Sequence, residues 1–215
     1  MMIANNTIRE QDVRIDELEQ YIRRDCLEIK GIPVRPHEDT TEVVQDIGEL
    51  LNLDIKNSDI SISHRLQDNR DQRDKDSSNP PTIIVRFARR EAKEKLYRNR
   101  HRLKDKTTED LDGCSHITPG NSIYISENLT QIRKKLFKSC LRVRKELNYK
   151  IISTSNGRIY LKKDARSRPV YINNPSDLAK LKANSTKHDP PSIPGALHGS
   201  GSELPNPTFH LLDPS

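Results

Sequence analysis

The chain has 215 residues, of which 32% are hydrophobic, 4% aromatic and 32% charged, with no tryptophan. That balance suits two modest cores joined by polar connections and excludes one large core. The net charge of +6 favours an anionic partner without naming one. No apolar run approaches the ~18 residues that would span a bilayer.

In chain order, Ile8, Gln11, Ile15, Leu18 and Ile22 recur at heptad spacing. They predict an N-terminal helix over 1–24, read either as the end of a longer coiled coil or as a lone amphipathic cap. Ile8, Ile15, Leu18 and Ile22 are the candidate oligomerisation residues. About two heptads are too few for a stable coiled coil, so a monomer or a weak homo-oligomer is expected.

Residues 25–128 then read strand–helix–strand–strand–helix–strand. Cys26–Ile32 alternates and stops at Pro33. Asp39 resembles a helix cap, ahead of Val43, Val44, Ile47, Leu50 and Leu51 on one face. Ile60–Leu66 alternates again, and residues 67–81 form a long polar loop. Thr82–Phe87 is the strongest strand pattern. Ala88, Ala92, Leu96 and Leu103 predict a helix across 89–103. An acidic loop (105–121) leads to a fourth strand at Ser122–Ser126. This order is that of a ferredoxin-like RRM.

A second unit (129–182) begins with a helical stripe of Ile132, Leu136, Cys140, Val143 and Leu147, whose other faces are basic. A hairpin turns at Ser155-Asn156-Gly157. A short strand at Val170–Ile172 and a short helix from Pro175 to about Leu181 complete it. Residues 183–215 read as a disordered tail, rich in Pro, Ser and Gly. The fold class is therefore α+β: an N-terminal helix, an RRM, a small α/β C-terminal domain and a tail.

Charge is segregated along this plan. Residues 86–104 carry +7 and residues 131–168 carry +11, while the remainder sums to −12. Cys26, Cys114 and Cys140 form no C-x-x-C pair and read as reduced packing residues. With no secretory pattern, an intracellular protein is expected, in a cytoplasmic ribonucleoprotein, the nucleus or both. His64, His101 and His116 lie far apart, and no zinc spacing, P-loop or G-x-S-x-G motif occurs. No catalytic residue, metal, cofactor or small-molecule substrate is expected.

Three stretches, "RIDELEQYIRRDCLEIKGIPV", "NPPTIIVRFARREAKEKLYRNR" and "IYISENLTQIRKKLFKSCLRVRKELNYK", resemble a known family. It is the first open reading frame protein of LINE-type non-LTR retrotransposons, related to the baculovirus few-polyhedra (FP) protein. The resemblance spans roughly residues 15–182. It implies a coiled coil, an RRM and a compact C-terminal domain, with low-specificity binding of single-stranded RNA, or single-stranded DNA, and nucleic-acid chaperone activity in ribonucleoprotein assembly. The coiled-coil region here is far shorter than in the family. The alternative is an FP-like assembly scaffold whose RRM binds protein instead of RNA.

The usual RRM stacking slots fall at Glu28, Thr82 and Ile84, none of them aromatic. Phosphate contacts are the expected substitute. The candidate residues are Arg86 on the third strand; Arg98, Arg100 and His101 on the second helix of the RRM; Arg133, Lys134 and Lys135 at the start of the basic helix; and Arg158 with Tyr160 on the hairpin. The resemblance places Arg86 and the 133–135 cluster at basic positions that the family uses for RNA. A cleft between the RRM sheet and the C-terminal domain is expected to gather these groups around one strand.

Overall fold

The computed structural model of the chain describes residues 2–66, 80–111, 114 and 120–186. Its elements are α1 (Met2–Arg23), β1 (Cys26–Lys30), α2 (Thr40–Leu50), β2 (Ile60–Arg65), β3 (Ile83–Phe87), α3 (Arg90–Asn99), β4 (Tyr124–Glu127), α4 (Gln131–Glu146), β5 (Ile151–Ser155), β6 (Arg158–Lys162), β7 (Val170–Ile172) and α5 (Pro175–Thr186). The strands form two antiparallel sheets, ordered β2-β3-β1-β4 and β5-β6-β7. No helix among the described residues is long and apolar enough to cross a membrane.

Alternation decides which side chains enter the first core. Leu27 and Ile29 of β1, Ile83, Val85 and Phe87 of β3 and Ile125 of β4 point one way. They pack beneath Val43, Val44 and Ile47 of α2 and Ala92 and Leu96 of α3. Asp39 caps α2 by accepting the Thr41 N–H at 2.7 Å. Gly31 follows β1 with φ +93, and a Cβ there would lie 2.0 Å from the Ser122 carbonyl oxygen. Only glycine lets the chain leave β1 past the run into β4.

The second core joins Leu136, Cys140 and Val143 of α4 to Ile159, Leu161, Ile172 and Leu178. All three cysteines are free and buried, and burial pushes the Cys140 thiol up to about 11.

The structure departs from the sequence reading in several places. Ile132 stays 57% exposed, because the first turn of α4 is held from the side by polar groups of α1. The helix from Arg90 tightens into a 3-10 turn over Arg100–Asp105. The segment read as an acidic loop contributes Leu111 and Cys114 to the first core and bridges Thr107 to Ser122. Helix α5 continues through Thr186, into the start of the expected tail. The rest of that tail, most of the 67–81 loop and His116 lie outside the described residues.

Candidate nucleic-acid interface

The two sheets meet at Glu127, the last residue of β4. Its carboxylate accepts from Lys93 Nζ of α3 at 2.9 Å, and from the backbone N–H groups of Asn156 at 2.9 Å and Gly157 at 2.8 Å. Asn156 and Gly157 both have positive φ, 51 and 75. This aims consecutive N–H groups at one anion. Burial alone would raise the Glu127 carboxyl; the Lys93 ammonium and the Gly157 N–H outweigh it and hold the pKa below the ordinary carboxylate range.

Helix α3 then clamps the edge of the second sheet. Tyr97 Oη lies 2.8 Å from Thr154 Oγ1. The Arg100 guanidinium stacks 3.7 Å from the centre of the Tyr97 ring, donates to the Tyr97 carbonyl at 2.6 Å and reaches Ser153 Oγ at 3.0 Å. Between α3 and the hairpin lies a cleft of about 280 Å³, bordered by Arg98, Arg100, Ser153 and Tyr160 and floored by the Lys93–Glu127 pair. Arg98 is paired with Glu94 at 2.8 Å, but its side chain is 77% exposed. A pair so open to water contributes at most ~1 kcal/mol, so the guanidinium is free to exchange partners. His101 is exposed, with Nδ1 2.9 Å from the Arg98 carbonyl oxygen.

The cleft opens onto the outer face of the second sheet. Register places Ser153, Tyr160 and Tyr171 in one row across β5, β6 and β7. The Tyr160 and Tyr171 rings stand 5.9 Å apart, tilted by 60°. Exposed Arg158 lies over Tyr171 at 4.8 Å. Arg98, Arg100, Arg158 and Tyr160, all expected from the sequence, thus line one continuous surface. Tyr171 was missed; its signal was the alternation of Val170-Tyr171-Ile172, which turns the ring away from the core.

The other expected residues lie elsewhere. Arg86 is exposed on the open face of the first sheet, opposite Cys26 and Ile62. Lys134 reaches the same face, 2.6 Å from buried Glu28, in an ion pair outside hydrogen-bond angles. Tyr124, 61% exposed beside Lys30, is an aromatic there that sequence reasoning passed over. Arg133 is already engaged: it donates to Asp16 Oδ2 at 2.8 Å and to the Gly157 carbonyl at 3.0 Å. Asp16 also accepts from the Thr130 hydroxyl. Gln20 donates to the Asn128 carbonyl at 3.1 Å and accepts from Thr130 N–H at 3.0 Å. One face of α1 is thereby fixed to the junction. Ile8, Ile15, Leu18 and Ile22, on its other face, are each more than half exposed. Lys135 is exposed on the outer side of α4.

Residues 130–182, from the N-cap of α4 into α5, match the family model described as baculovirus FP protein domain 2. No curated protein matches the chain.

Proposed function

We propose that this chain, whose second unit is similar to domain 2 of baculovirus FP proteins, binds single-stranded nucleic acid with little sequence preference. The binding surface is the cleft beside α3 and the outer face of β5–β7. The observation that carries this reading is the Tyr160–Tyr171 pair set among Arg98, Arg100 and Arg158. Unpaired bases offer their faces to aromatic rings and their phosphates to guanidinium groups. A duplex hides the base faces. Neither contact reads base edges, so specificity is low. The strand order β2-β3-β1-β4 supports reading the first unit as RRM-like, with buried Glu28 and Ile84 in place of aromatic stacking residues. RNA in a retrotransposon-type ribonucleoprotein is the ligand that the sequence resemblance favours.

The test is fluorescence anisotropy with a single-stranded oligouridine. Tyr171→Ala removes one stacking ring, worth about 1–3 kcal/mol per base, and should weaken binding by roughly tenfold. Tyr171→Phe should retain most of the affinity. Equal affinities for wild type, Tyr171→Ala and Arg98→Ala would overturn the reading.

A second reading, as an assembly protein of FP type, draws on the exposed apolar stripe of α1. It is compatible with the first, because the stripe faces away from the residues that fix α1 to the junction.

A further inference from the structure

Lys135, Lys138, Arg142 and Lys145 are all exposed and follow the i, i+3, i+7, i+10 spacing of one helix face. The stripe runs along ~15 Å of α4. It lies opposite Leu136, Cys140 and Val143, which bury against the second sheet. None of the four has an ion pair among the described residues. Glu146, four residues beyond Arg142, has its carboxylate on Lys182 at 2.5 Å.

Such a face works against its own helix. Like charges three and four residues apart repel, and of the four only Lys145 lies in the last turn, where the macrodipole favours a cation. The outer face of α2 differs: Glu42 and Glu49 are its exposed charges. Arg142 reaches only the Ser139 hydroxyl, at 3.5 Å, and a single-sign stripe whose charges repel one another with no counter-charge among the described residues is explained by an external polyanion.

We propose that the outer face of α4 is a second nucleic-acid surface, a phosphate track separate from the stacking face. It rests on the reading above. The second sheet lies between the two surfaces, with α4 on one side and Tyr160 and Tyr171 on the other. A short strand therefore reaches one surface only, and a long strand that passes around the unit engages both. The track contributes through charge alone and through tethering by the first contact.

The test compares full-length protein with a variant carrying Lys135→Gln, Lys138→Gln, Arg142→Gln and Lys145→Gln, on oligouridines of about five and about thirty nucleotides, near and well beyond single-module site sizes. Glutamine keeps helix propensity, so the melting temperature should be no lower than that of wild type. On the short RNA, affinity should stay within about twofold. On the long RNA it should fall by roughly tenfold or more, with the log–log salt slope shallower by about 2–3 units, at ~0.7 per lost contact. Equal losses on both lengths would make the stripe part of the first site; no loss on either would leave it a solvated face. Vesicles of phosphatidylcholine and phosphatidylserine form a third arm. If the stripe governs vesicle binding while long-RNA affinity is unchanged, its partner is a lipid surface. Each of these three results overturns the proposal while leaving the Tyr171 result intact. Absence of binding to both RNAs overturns the functional reading as well.

Discussion

Glu127 joins the two sheets through an ion pair and two backbone hydrogen bonds, and it is 5% exposed. Glu127→Gln leaves the Lys93 ammonium buried without a counter-charge, a change that costs about 3–5 kcal/mol. Urea unfolding should show that loss, and Lys93→Met in the same background should recover part of it. The folded carboxyl lies below its unfolded value of ~4.3, so its contribution is complete above that pH and is lost as pH falls through the lower folded value. Stability of wild type should therefore decline below about pH 4, and that of Glu127→Gln should decline less steeply over the same range. The residue was partly legible in the sequence: the parity of Tyr124-Ile125-Ser126-Glu127 turns its side chain toward the helices. Its partners were not, because Lys93 and Gly157 lie 34 and 30 residues away. Arg133 shows the same limit. As a basic residue in a first helical turn it reads as a phosphate contact, yet its guanidinium sits on Asp16, 117 residues earlier.

At the scale of elements, periodicity carried most of the reading. The strand and helix order, the two-residue turn and the buried stripe of α4 follow from local pattern and turn chemistry. Leu111 and Cys114 were hidden among acidic neighbours too irregular to show a period. The tightened turn after α3 was hidden because a 3-10 turn shares side-chain spacing with the end of an α-helix. Helix α1 has a consequence for assembly. Asp16 and Gln20 hold one face to the junction, and Ile8, Ile15, Leu18 and Ile22 present the other to solvent. Two heptads give a weak seam. Sedimentation equilibrium should show a monomer, or an oligomer that dissociates at low micromolar concentration, and Ile15→Asp should abolish any association. A tight trimer that survives dilution would mean that the folded units add contacts beyond this stripe.

At the scale of the whole molecule, α1 and Glu127 fix the second unit against the first, and that fixed junction places Arg98 and Arg100 beside Tyr160. Charge segregation in the sequence pointed to the segments that carry Arg98, Arg100 and Arg158. It could not show which cations are paired internally or that two tyrosines from different strands meet. The central claim is that unpaired bases and phosphates are both contacted, and wild-type protein tests it directly. Anisotropy should be recorded over a salt series with a mixed-sequence single strand, its complement and the duplex of the two. The account predicts similar affinities for the two single strands, weaker binding of the duplex, and a log–log salt slope for the single strands of roughly −0.7 per phosphate contacted. A flat slope, tighter binding of the duplex, or strong preference for one of the two strands would contradict it.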